Sequence, residues 1–220
     1  MAPLWWVNGR WLVHSTLRRV RRQGGEFRTS PDVDALLLAA RWEQAWSGCA
    51  PLAAGDWKPW EERYRSRHLR LHSLPGSKQY ADTPEESREI VRRHEVLLRE
   101  LIDDEDPDSV ELIVMLEDWD YRDSAGGRVR RRVPDAVPWM RWSQSDPDDP
   151  DGYYYVAYRR LRDLAPLLLL CAEEELDFRI ADDTLRWLYI PYDGGADLWA
   201  VTPEQAGGLR DRYADWLPDD

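Results

Sequence analysis

Two short segments, Thr83-Pro84-Glu85-Glu86 and Thr202-Pro203-Glu204-Gln205, constrain the fold of this chain more than any other feature. Each offers a threonine hydroxyl as N-cap and a proline at the first helical position, where its missing N–H is no loss. Each also places Glu or Gln three residues after the cap, able to reach back to the free N–H groups. After Thr83, Ile90, Val91, Leu97, Leu98 and Leu101, with His94 among them, fall on one side of a helix that stops at the acidic loop 103–106 before Pro107. After Thr202, Leu209, Tyr213, Trp216 and Leu217 mark a final helix, weakened early by Gly207-Gly208.

Between and before these boxes the pattern changes period. His68–Leu74 alternates and predicts a strand, turned by Leu74-Pro75-Gly76-Ser77. Val110–Leu116 is short and almost wholly apolar, as a central strand buried on both faces requires. Strands are also expected over 137–142, 153–158, 178–180, 185–192 and 196–201, the last three forming a meander through Asp182-Asp183 and Asp193-Gly194-Gly195. Ser30-Pro31-Asp32 reads as the N-cap and first turn of a helix running to about Gly48, its inward positions being Val33, Leu36, Leu37, Ala40 and Trp46. Residues 160–176 predict another helix, with Pro166 in its first turns, and 15–23 a short basic helical turn. Asn8-Gly9 between apolar runs predicts a hairpin. Residues 49–62 look irregular. The sum is a single α+β domain over 1–220, a mixed β-sheet flanked by about three helices, with a C-terminal β-meander and final helix. Residues 1–60 form a hairpin-plus-helix extension.

Composition narrows the function classes. The 220 residues hold 30 Lys+Arg against 42 Asp+Glu, a formal charge of -12. Residues 1–100 carry 17 basic and 13 acidic residues, while 101–220 carry 13 and 29. That balance argues against a general nucleic-acid binder. Only Lys58 and Lys78 are lysines, as a GC-rich coding bias would give. There are 13 Trp against 2 Phe, so tryptophan is expected to take the place of phenylalanine in the core, with some rings left for interfaces.

Cys49 and Cys171 supply neither a disulfide framework nor a metal cluster and read as inert buried thiols. The longest apolar run, 164–172, is far short of the ~20 residues of a membrane helix, and the N-terminus lacks a signal pattern, so a cytoplasmic protein is expected. His68 and His72 have the spacing of a helical metal pair. On a strand, however, they would stand about 13 Å apart, so no metal is expected. Walker, Rossmann and nucleophile-elbow motifs are absent, and no cofactor is expected.

Tyr192-Asp193-Gly194-Gly195-Ala196-Asp197-Leu198, with the later Asp215-Trp216-Leu217, resembles an uncharacterised bacterial domain family of the actinobacterial type. Leu71–Tyr80 and the Arg92-Arg93-His94 helix resemble the same hypothetical proteins, and residues 1–60 lie outside the likeness. The resemblance implies a bacterial source and a mixed helix-and-strand domain, and no known activity.

The expectation that follows is a non-catalytic, acidic protein-binding protein, of the kind an immunity protein forms with a basic bacterial toxin. Trp119, Trp142 and Trp199 would be its anchors, beside Asp148, Asp149 and Asp151. One alternative is a hydrolase-type enzyme with Asp193, Asp197 and His72 as acid/base groups. The other is a nucleic-acid-associated protein using Arg18–Arg22 and Arg128–Arg132.

Overall fold

The computed structural model describes residues 21–22, 25–49, 51, 58–119, 127–143 and 152–218. The Asn8-Gly9 hairpin and Asp148, Asp149 and Asp151 lie outside them, as do the side chains of Trp119 and Trp142. Along the chain come β1 (Arg21–Arg22), β2 (Gly25–Thr29), α1 (Val33–Ala45), α2 (Lys58–Tyr64), β3 (His68–His72), α3 (Pro84–Leu101), β4 (Glu111–Trp119) and α4 (Gly127–Arg132). There follow β5 (Val137–Ser143), β6 (Gly152–Arg160), α5 (Ala165–Ala172), β7 (Asp177–Ala181), β8 (Leu188–Tyr192), β9 (Gly195–Trp199) and α6 (Pro203–Arg212). The fold is α+β.

Four local expectations need correction. Arg21–Arg22 pairs as a strand with Gly25 and Glu26 instead of forming a helical turn. Residues 58–62, expected to be irregular, form most of the helix Lys58–Tyr64. The helix over 160–176 shrinks to a 3-10 turn at Leu161–Asp163 and the eight residues of α5. Pro166 confines the start, and at the end Glu174 takes a left-handed φ of 57° while Glu175 N–H returns to Leu170 O at 2.8 Å.

The fourth concerns α1. Its N-cap is Asp32, whose Oδ1 accepts from the N–H groups of Asp34 (3.0 Å) and Ala35 (3.4 Å), and Ser30 serves one step earlier by accepting from Asp32 N–H. The buried face is Ala35, Leu38, Ala39 and Trp42, leaving Val33 and Leu37 exposed at 68% and 57%. The indole of Trp42 has the largest area on the helix to hide, and the residues one and two turns before it follow it inward.

The chain divides into two compact units, residues 1–63 with 115–157 and residues 64–114 with 158–220. In the first, β1, β2, β5 and β6 pair successively and antiparallel, with a register shift between Pro138 and Met140. Its core is built on indoles. Trp42, Trp46, Trp60 and Trp139 are all buried, and neighbouring centroids stand 5.1–6.4 Å apart in tilted and edge-on pairs. Tryptophan does replace phenylalanine here.

In the second unit β7, β8, β9 and β3 pair antiparallel in that order. Both threonine boxes open helices as predicted: Thr83 Oγ1 accepts from Glu86 N–H and Thr202 Oγ1 from Gln205 N–H, each at 3.2 Å. Gln205 Oε1 reaches back to Val201 N–H (2.8 Å) and Glu86 Oε2 to Asp82 N–H (2.7 Å). Ile90, Leu97, Leu98 and Leu101 of α3 are buried as the stripe requires. Within β4, residues 112–116 are all buried, fitting a strand covered on both faces. Among the described residues no helix is long and apolar enough to cross a membrane.

Candidate functional site

The second unit carries a cluster of ionisable side chains on one face of β3 and β9. Strand alternation puts His68, Arg70 and His72 on one side of β3, and the register sets them opposite Trp199, Asp197 and Gly195 of β9. Leu69 and Leu71 point to the other side and are buried. Asp197 is thus delivered between two basic residues, and it uses both. Its Oδ1 lies 2.6 Å from His68 Nε2 and 3.1 Å from Arg70 Nε, and its Oδ2 accepts from Arg70 Nη2 at 2.9 Å.

The electrostatics follow from burial. The Asp197 side chain is only 4% exposed, against 30% for His68 and 51% for Arg70. Burial alone would push its carboxyl up, but the bonds from His68 and Arg70 outweigh that and hold it below the ordinary carboxylate range. The same bond raises the Arg70 guanidinium. The imidazole of His68 lies against Trp199 with centroids 4.7 Å apart, and the Arg70 guanidinium sits over the Tyr192 ring at 5.8 Å. Burial lifts the Tyr192 phenol to about 12.

The β8–β9 turn forms a second cluster. Gly195 is required by close approach: a Cβ there would fall 2.0 Å from Leu71 O, whereas one at Gly194 would meet nothing nearer than 3.6 Å. Asp193 in the turn accepts from Gln79 Nε2 and lies 3.2 Å from the hydroxyl of Tyr80, which also donates to Glu174. Tyr80 is 46% exposed, and its hydroxyl, bonded first to Glu174 and also to Asp193, is raised to about 12.

The remaining segments of the sequence pattern meet on α3. Trp216 lies under the guanidinium groups of Arg93 (4.7 Å) and Arg92 (5.5 Å). Glu89 accepts from both arginines, and the Arg92 bond leads in drawing its carboxyl down to about 2. Arg93 also donates to His72 O at 3.0 Å. Behind the sheet His94 Nδ1 and Tyr189 OH stand 2.6 Å apart, fully buried, and burial drops the imidazole to about 4. These contacts dock the C-terminal segment on α3, with the Arg92 side chain still 54% exposed.

The structure redistributes the expected site residues. Asp197 is joined by His68 and Arg70 and not by His72, which lies across from Gly195, and Asp193 faces Gln79 and Tyr80. Trp199 is 2% exposed beneath His68, so it is not an exposed anchor. Burial also raises the thiol of Cys171, which donates to Pro191 O. Among the described residues no group of three or more His, Cys, Asp or Glu gathers as a metal cluster would. Sequence reasoning weighed His68 only as a metal partner of His72 and did not single out Arg70 or Tyr80 as site residues. Alternation in β3 marked 68, 70 and 72 as one face, but only the register to β9 selects which of them meets Asp197.

A family model for a domain of unknown function, DUF3885, matches residues 58–220. Neither the curated proteins nor the solved structures contain a match.

Proposed function

The chain belongs to the DUF3885 family, a domain of unknown function, and on that premise we propose that it is a protein-binding module for a basic protein. In its finer form this is the partnership of an immunity protein with a basic bacterial toxin. The observation that carries the reading is Tyr80, an exposed aromatic ring whose hydroxyl is shared between the carboxylates of Glu174 and Asp193. An aromatic face rimmed by two carboxylates suits an incoming arginine or lysine, which gains a cation–π contact and an ionic one together. Further acids of the same unit are exposed: Asp103, Asp104, Glu105, Asp106, Glu173, Asp177 and Asp183. Summed, they favour fast encounter with a cationic surface.

The test is affinity capture by the full chain at 0.01 M and 0.15 M salt, with the retained proteins identified and the leading one titrated against variants. The Debye length falls from ~30 Å to ~8 Å over that range, so association should slow markedly. Tyr80→Ala should weaken binding by about 30-fold, the scale of an aromatic hot spot. Capture that ignores both salt and Tyr80→Ala overturns the proposal.

A further inference from the structure

The His68–Asp197 pair is arranged for more than holding two strands together. An ionised carboxylate can only accept hydrogen bonds, so the 2.6 Å contact to Asp197 Oδ1 places the ring proton on Nε2 of His68. In the unprotonated ring the lone pair is then on Nδ1, which no described residue engages through a hydrogen bond. Two contacts fix the ring, the carboxylate at one edge and the Trp199 indole against its face, and 30% of the side chain remains open. Arg70 spends Nε and Nη2 on Asp197, its Nη1 takes no part in either bond, and its side chain is half exposed.

From this geometry we propose that His68 is a general base for hydrolysis of a carboxylic ester, with Asp197 as its positioning residue and Arg70 as the donor to the oxyanion. His68 Nδ1 takes a proton from water, and the water oxygen adds to the carbonyl carbon. The C=O electron pair moves to the oxygen facing Arg70. Re-forming C=O then breaks the bond to the leaving oxygen, which departs with the pair and takes the proton from the imidazolium, giving acid and alcohol. Asp197 supports the transient positive charge on the ring, as orienting carboxylates do. The inference goes beyond the docking reading: the Tyr80 variant probes docking alone, and the His68 variant probes hydrolysis alone.

The test uses the full chain and p-nitrophenyl acetate. His68→Gln should lower the rate by about 100-fold, the low end of what a placed base supplies. A rate that survives His68→Gln, or falls as far in His72→Gln, overturns the proposal. Nitrogen NMR of the wild-type imidazole gives a readout that needs no variant. The expected neutral form carries its proton on Nε2, and a proton on Nδ1 overturns the proposal. In Asp197→Asn the rate should fall together with a shift towards the other tautomer. A fall with the tautomer unchanged overturns the proposal, of which the positioning role of Asp197 is a part.

Discussion

The two units solve burial with different chemistry. In the first, area does the work: four indoles pack ring to ring, and the buried Asp118 spends its Oδ2 on the main-chain N–H groups of Arg128 and Val129 at the start of α4. In the second, the cores of α3, α5 and β7–β9 are largely aliphatic, and buried polar side chains rely on specific partners, His94 on the buried Tyr189 and Asp197 on the partly exposed His68 and Arg70. A cavity costs the first unit in proportion to lost contacts. The second is exposed to proton uptake and to loss of a single partner. Dispersion is forgiving of chemistry and strict about volume; a buried hydrogen bond is the reverse.

The sharpest way to break this contrast is Trp46→Ala. Its side chain is fully buried against Trp42 and Trp60, so removal should cost about 4 kcal/mol, read as a shift in the urea midpoint. A loss below about 1 kcal/mol would mean that the indole cluster is not the core of its unit.

Acid should act on the second unit next most strongly. His94 is held near 4 by burial, while an unfolded histidine titrates near 6.5. Between those values the unfolded chain binds more protons, so this contribution is complete above about pH 6.5 and is lost as pH falls towards 4. It amounts to at most about 3 kcal/mol. His94→Gln should flatten that part of the stability–pH curve, and an unchanged slope would assign it to other groups.

Gly195→Ala should follow, at about 2 kcal/mol, because its Cβ would collide with the Leu71 carbonyl and force β3 from β9. Gly194→Ala, one residue away with room for a methyl, is the matched control and should be close to neutral. Equal melting temperatures for the two variants would refute the close approach. Smallest are the caps: Thr83→Ala and Thr202→Ala should each cost about 1 kcal/mol in thermal or urea unfolding.

What could be read along the chain was whatever depends on near neighbours. The Thr83 and Thr202 caps, the buried run 112–116, the alternation of 68–72 and the 193–195 turn are local facts of hydroxyls, periods and glycines, and they stand where the sequence places them. Even so, α1 shows the limit. Val33 and Leu37 fit a helical stripe as well as Ala35 and Leu38 do, and only the packing of Trp42 against Trp46, Trp60 and Trp139 chose between them. The cluster around Asp197 was beyond local reading for the same reason. Asp197 lies 129 residues from His68 and 127 from Arg70, and a one-residue slip of β3 would have turned both basic side chains to the opposite face. The sequence by itself determined that there would be an α+β fold, capped helices and a Gly-Gly turn, because those rest on interactions within a few residues. Tertiary structure alone decided that Asp197 would be buried and paired with two basic side chains, that Trp199 would lie beneath a histidine, and that Tyr80 would stand between two carboxylates. Those outcomes depend on strand register, and register is set by the packing of whole faces.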